Sequence, residues 1–226
     1  NQHAGFIGGL EKYIYSVSKL LRANGCQTAL LYVEKVNESE KFFTEFDEVF
    51  NVVELEKMDS INYAPATLHK ISEPDVLKKI LAKFSPEAFI HDHDYFCPKG
   101  YKYYPFKRIN CRRPYSRIPC GICASIVPPR HMAEGFLAML EKNFIKSARL
   151  NALVKTCRKY VVLSEFMKNC LVKNGIAESE IKVIHPFLFE TPYVEKTENK
   201  TPYIIFAGQQ VMSKGITLLL DAAKQM

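Results

Sequence analysis

No apolar run in this 226-residue sequence approaches the ~20 residues that a membrane-spanning helix needs, so the stretch holds no candidate span. No signal-peptide pattern is visible either. No internal repeat recurs along the chain, which removes solenoid and propeller architectures. Acidic residues are missing from one long stretch: between Asp94 and Glu134 there is neither Asp nor Glu. That stretch carries Lys99, Lys102, Lys107, Arg108, Arg112, Arg113, Arg117 and Arg130, and these eight charges account for the whole formal excess of +7. A local basic patch of this kind implies an anionic partner at one place rather than a uniformly basic protein. The seven cysteines are odd in number, in a domain too large to need disulfide staples. That favours a reducing compartment, with the cytoplasm as the default.

With 47 % apolar residues the chain can fill one α/β core. Leu10, Tyr13, Ile14, Val17, Leu20 and Leu21 share one helical face, and Asn24-Gly25 supplies the left-handed stop. Strands are predicted over Thr28–Val33, Phe50–Leu55, Ala88–Ile90, Tyr160–Leu163 and Ile181–Ile184. Between them lie helices opened by Ser72-Glu73-Pro74-Asp75 and by Ser164, and one long helix from Ala133 to about Cys157. The Pro-, Arg- and Tyr-rich segment 95–131 reads as irregular, and a loop of that length in a compact domain is functional or tied down. Strands alternating with helices predict a Rossmann-like parallel sheet with helices on both faces, whose ligands bind at the carboxyl ends of the strands.

The chain is expected to comprise a domain over 1–188, a polar linker over 189–202, and a further strand and helix over 203–226. Tyr203–Gly208 is an apolar strand-like run followed by the amphipathic Ile216, Leu219, Leu220 and Ala223. A lone strand and helix cannot bury enough surface to order themselves. With a loop-like start at Asn1–Gly9, the expectation is a piece of a larger protein that lacks its first strand and most of a second domain.

Four landmarks fall in order beside predicted strand ends: Gly8-Gly9-Leu10-Glu11; His91-Asp92-His93-Asp94; Ser164-Glu165-Phe166 with Asn174-Gly175-Ile176 and Ile181–Pro186; and Gly208 with Lys214-Gly215. Together they resemble retaining glycosyltransferases of family 4, which have the two-domain GT-B fold, over nearly the whole chain. The resemblance implies an N-terminal acceptor-side domain and the opening of a donor-side domain. It implies transfer of a hexose-type sugar from a nucleotide sugar, UDP- or GDP-linked, with no cofactor or metal required at the reacting centre. The acceptor would be a glycan or a lipid-linked saccharide in cell-surface polysaccharide synthesis, at the inner face of the plasma membrane. His93 would be the catalytic-site histidine, and Gly8, Gly9, Glu11, His91 and Asp94 would line the acceptor side. Lys214, Gly208 and Gln209 would bind the donor diphosphate, whose growing negative charge a cation stabilises. Gln209 departs from the family, which very often has Arg there. A Gly-Gly pair also suits a plain tight turn, Ser164 is first a helix cap, and either histidine also suits a hydrogen-bonded core.

Cys97, Cys111, Cys120 and Cys123 all fall in the basic loop, the last two as Cys-x-x-Cys. A structural zinc, reduced thiols and a disulfide all remain open for them. Tyr101, Tyr103, Tyr104, Phe106 and Tyr115 interleave with the loop's cations. That pattern fits an anionic acceptor or membrane surface, or tyrosines packed back on the domain, with nucleic acid ranking behind. A non-catalytic module docking on anionic membrane or nucleic acid through this loop is the alternative to an enzyme.

Overall fold

A computed structural model describes residues 1–60, 62–63, 65–104, 109–126, 136–186, 203–208, 210 and 214–225. It divides into two compact units, residues 1–101 with 113–187, and residues 102–112 with 188–226. In chain order the elements are β1 (His3–Ala4), α1 (Gly9–Ala23), β2 (Ala29–Tyr32), β3 (Glu34–Lys35), α2 (Ser39–Phe43), β4 (Glu48–Asn51), β5 (Thr67–Leu68), α3 (Pro74–Phe84) and β6 (Glu87–Ile90). There follow β7 (Tyr103–Tyr104), β8 (Ile109–Asn110), α4 (Arg117–Ile126), α5 (Phe136–Leu140), α6 (Ser147–Val154), β9 (Tyr160–Val162), α7 (Glu165–Lys173), β10 (Ile181–Val183) and α8 (Ile216–Ala223).

In the first unit, β10, β9, β6 and β5 form a four-stranded sheet in that spatial order, all parallel. β2 pairs with β4 and β1 with β3, again in parallel. Parallel strands need long crossovers, and α3, the run from α4 to α6, and α7 supply helices between them. This is the Rossmann-like α/β architecture the periodicity predicts. One core gathers Leu68, Leu77, Ile90, Val154, Val162 and Leu171 around the four-stranded sheet. A second, aromatic core under α1 contains Ile14, Leu30, Tyr32 and Phe42, with Phe6 packed edge-on against Phe42 at 5.4 Å.

Several local expectations need correction. The strand expected over Phe50–Leu55 ends at Asn51, because the Asn51 side chain accepts from Val53 N at 3.0 Å and Glu54 accepts from Asn51 N at 3.3 Å. This reciprocal cap starts a 3₁₀ turn over Val52–Lys57 instead. α3 begins at Pro74 with Glu73, not Ser72, as its N-cap residue. The segment 95–131 is not irregular throughout: it holds the hairpin β7–β8 and the ten-residue α4. The long helix is interrupted by a π-helical turn over Glu141–Lys146, and its expected start near Ala133 lies outside the described residues. Within the turn, the Phe144 carbonyl accepts from Arg117 Nε at 3.1 Å and the Asn143 carbonyl from Ser147 Oγ at 2.6 Å, so side chains satisfy carbonyls there. Ser164 caps α7 by accepting from Met167 N at 3.3 Å, and Gly175, at φ +88°, closes the helix as expected.

The second unit contains β7, β8 and α8. Residues 203–207 form no strand, and Tyr203, Ile204 and Ile205 are exposed. An apolar run alone does not make a strand; it needs a neighbouring ladder, and among the described residues none pairs with it. The linker expected over 189–202 lies outside the described residues.

Gly121 marks the closest approach of α4 to the π turn: a Cβ built on it would stand 2.5 Å from two ring carbons of Phe144. Gly121→Ala would gain up to about 1 kcal/mol of helix propensity, yet the overpacking costs about 1–3 kcal/mol and wins. Urea unfolding is expected to show a net loss for Gly121→Ala, restored in part by adding Phe144→Leu. Equal or greater stability of the single variant would contradict this packing.

Candidate functional site

In a parallel sheet every strand ends at the same rim, so the loops after β5, β6 and β9 lie side by side. His69 and Lys70 follow β5, His91 to Asp94 follow β6, and Ser164 follows β9 at the head of α7. A described pocket lined by Leu81, Ser85, Pro86, Thr156, Cys157 and Arg158 lies at the opposite, amino-terminal ends of β6 and β9.

On one face of the rim the two chain crossings meet through imidazoles. His69 Nδ1 lies 2.9 Å from His91 Nε2, and Thr67 Oγ1 lies 3.3 Å from His69 Nε2. Phe89 stacks on both rings, at 5.3 Å from His69 and 4.7 Å from His91. Tyr13 of α1 meets the His91 ring edge-on at 5.2 Å. Burial pulls the His91 imidazole down to about 4. Burial, then the charge of His91 and that of the amino terminus, pull His69 well below its ordinary range. Both rings are therefore neutral at pH 7.

Alternation along the strands sends the next residues to the other face. There Lys70 Nζ pairs with Asp94 and, at 3.3 Å, with Asp92. Burial lowers the Lys70 pKa, but the two carboxylates outweigh it and the net shift is upward. Burial, then repulsion from Asp92, raises Asp94, with Lys70 opposing. The turn is fixed by Asp92 Oδ1 accepting from Asp94 N at 2.9 Å and by His93 O accepting from Phe96 N at 2.8 Å. Gly100 sits at φ +79°, where a Cβ would collide with the Asp94 carboxylate, so only glycine closes this turn. The His93 ring meets Phe166 of α7 edge-on at 6.0 Å.

The Gly8-Gly9 loop opens α1. Gly8 N donates to Glu11 Oε2 at 3.0 Å, so Glu11, expected on the acceptor side, is buried as the cap of the helix. His3 approaches Glu11 at 3.7 Å and Glu34 at 3.3 Å, which ties this loop to β3. Gly8 has ordinary extended backbone, and a Cβ on Gly9 would meet nothing within 4 Å. Neither glycine is demanded by packing or by a left-handed φ.

Gly8, Gly9 and Glu11 are thus together by their own contacts, and α1 joins them to His91 through Tyr13. Asp94 is gathered with Lys70, and His93 with Phe166. Lys214 and Gly208 lie in the second unit, with Lys214 just before Gly215 at the head of α8, and Gln209 lies outside the described residues. Sequence reasoning missed Tyr13, Thr67, His69 and Lys70 as site residues. β5 is only two residues long, too short to show a period, so nothing marked His69-Lys70 as a strand end. Of the alternatives left open for Cys97, Cys111, Cys120 and Cys123, a zinc site finds no support: among the described residues no group of three or more His, Cys, Asp and Glu could hold a metal ion. Instead Cys97 is buried, Cys111 Sγ donates to Tyr104 Oη at 3.3 Å, and Cys120 Sγ accepts from Ser116 N at 3.4 Å. The Cys-x-x-Cys pair rides on α4 rather than on a loop.

A Rossmann-like domain with a glycine loop, imidazoles and a lysine–carboxylate cluster at the carboxyl rim is an α/β ligand-binding or transferase domain. A family model for Glycosyltransferase Family 4 matches residues 7–188, and the chain belongs to that family. No curated protein and no solved structure matches it. Membership gives a glycosyltransferase in general, and with it a donor and an acceptor as substrates.

The imidazole pair also sets a pH dependence. Its members bind protons less readily folded than unfolded, so their contribution is complete above about pH 6.5, the ordinary histidine value, and is lost as pH falls below it, for His91 toward about 4. The slope is expected to reach about 1.4 kcal/mol per pH unit per histidine. Urea midpoints at pH 7.5 and 5.0 should converge in a His69→Asn/His91→Gln double variant relative to wild type. Parallel losses in both proteins would contradict the neutral pair.

Proposed function

We propose that this chain supplies the acceptor-side half of a nucleotide-sugar-dependent, configuration-retaining glycosyltransferase that acts on a glycan or lipid-linked acceptor in cell-surface polysaccharide synthesis. Residues 1–188 are the acceptor-side domain, and residues 203–226 open the donor-side domain. The observation that carries this reading is the Gly8-Gly9 turn: two glycines that the fold does not require, held by Glu11 at the head of a helix linked through Tyr13 to His91. Gly8 N–H is held by Glu11, and the absence of a side chain on Gly8 and Gly9 lets a ligand oxygen approach the N-terminus of α1. His93 and His91 offer hydrogen bonds to sugar hydroxyls at the same rim, with His93 nearest the transferred sugar. In this reading Gly208, Gln209 and Lys214 serve the donor, and the Lys214 cation offsets charge gathering on the departing diphosphate.

Wild type, Gly9→Ala and His93→Ala would be assayed in the full-length protein with labelled UDP- and GDP-hexoses and lipid-linked saccharide extract. Gly9→Ala is expected to leave the melting temperature unchanged or slightly raised while transfer falls roughly ten-fold or more, and His93→Ala is expected to lower transfer roughly 10²-fold. Full transfer by Gly9→Ala would remove the loop from the site. No wild-type transfer from any donor would remove the function.

A second observation favours a peripheral contact with anionic lipid at the cytoplasmic membrane face. Ile118, Ile122 and Ile126 stand one turn apart on α4 and are all exposed, beside the exposed Arg113 and Arg117. An apolar helix stripe flanked by arginines, in a stretch without a single acidic residue, suits the interface of an anionic bilayer. Among the described residues no helix is long and apolar enough to cross a membrane. Sedimentation with phosphatidylglycerol vesicles is expected to carry the protein down, and Ile122→Glu to release it. Equal pelleting of both, or of neither, would count against the contact.

A further inference from the structure

Thr67 and His69 form with His91 a chain of hydrogen-bonding groups, and the functional reading leaves Thr67 and His69 unused. The Oγ1–Nε2 step is 3.3 Å and the Nδ1–Nε2 step between the two rings is 2.9 Å. A contact of that length between imidazole nitrogens holds a single proton, since two would repel and none would set two lone pairs against each other. With both rings neutral, each carries one N–H, and only two arrangements satisfy the chain. In one, the Thr67 hydroxyl donates to His69 Nε2, His69 Nδ1 donates to His91 Nε2, and His91 keeps its own proton on Nδ1. In the other, all directions reverse, and His91 Nδ1 is a bare acceptor. The direction of one hydroxyl thereby decides whether one nitrogen of His91 donates or accepts.

The rings are held in place for this. Phe89 stacks on both, Tyr13 closes on the edge of His91, and both imidazoles follow neighbouring parallel strands. On the opposite face the cation that pairs with Asp92 and Asp94 is Lys70, and among the described residues no ion pair there involves either imidazole. A neutral, stacked, hydrogen-bonded pair at a ligand rim is a device for orientation rather than for charge.

We propose that Thr67 and His69 are positioning residues that fix the tautomer of His91, so that His91 Nδ1 meets a hydroxyl of the sugar acceptor with one set hydrogen-bond polarity. This rests on the acceptor-side reading of the rim given above. Its consequence is specificity: a site of set polarity rejects an acceptor whose hydroxyl is missing or turned the wrong way, because a polar group is then left unpaired.

The test reads the imidazole nitrogens directly, by long-range ¹H–¹⁵N spectra of the full-length protein and of Thr67→Val, His69→Phe and His69→Asn. Thr67→Val removes one exposed hydroxyl at constant shape, so it reports even where His69→Phe fails to fold. Wild type is expected to show one neutral His91 tautomer. Thr67→Val and His69→Phe should show a mixture, and His69→Asn, whose amide replaces Nδ1, should restore the single form. In the transfer assay kcat is expected to fall roughly ten-fold in Thr67→Val and His69→Phe with KM changed less than about two-fold, and to recover in His69→Asn. A His91 tautomer that is the same in wild type, Thr67→Val and His69→Phe overturns the relay. A mixed tautomer with unchanged kcat overturns its role in transfer. A wild type that transfers nothing overturns the functional reading and the role of His91 with it, a failure distinct from unchanged spectra.

Discussion

The parallel pairing of β6 with β5 on one side and β9 on the other is the constraint from which the site follows. Because all three strands run the same way, the residues after Leu68, Ile90 and Val162 emerge at one rim. Reversing any of them would send its polar residues to the far end. The register is held by strand residues that are themselves core: Ala88, Ile90 and Val162 are almost wholly buried, so a slip by one residue would move each out of the place its neighbours pack around. Burial of ordinary aliphatic side chains therefore fixes where two histidines and a lysine meet.

The two faces of the rim solve different electrostatic problems. On one, Lys70 lies between two carboxylates that repel each other, and burial together with that repulsion raises the Asp94 pKa. On the other, burial among aromatic rings keeps two imidazoles neutral, and they satisfy each other by sharing a proton. Placing both imidazoles beside Lys70 as cations would cost more than the site could recover. The division leaves the histidine face free of net charge, which suits contact with sugar hydroxyls.

Much of the fold was legible because apolar periodicity reports burial. The α1 stripe, the runs at Ala29–Tyr32, Glu87–Ile90, Tyr160–Val162 and Ile181–Val183, and the caps at Ser164 and Gly175 are all local signals with a local cause. Where several forces compete, the sequence was less informative. Val52–Leu55 looks like a strand by composition, yet the reciprocal Asn51–Glu54 cap turns it into a 3₁₀ helix. α4 hides in a Pro- and Arg-rich stretch because its buried positions are small, Gly121 and Ala124, while its large apolar residues face outward. Tyr203–Ile205 has the composition of a strand, yet among the described residues no sheet includes it. Of the site, Gly8, Gly9, His91, His93 and Asp94 could be named from motifs, but their partners could not. His69 and Lys70 are brought to His91 and Asp94 by a pairing between segments 22 residues apart, which no short-range pattern records.

The central claim is that a sugar binds at the carboxyl rim, against His91 and His93. The most direct measurement follows the imidazole ¹H–¹⁵N resonances of each histidine during titration with a panel of free hexoses and hexose disaccharides. The account predicts saturable shifts at His91 and His93, with His185 unmoved. No response at either rim histidine across the panel, or shifts of equal size at His185, would contradict it.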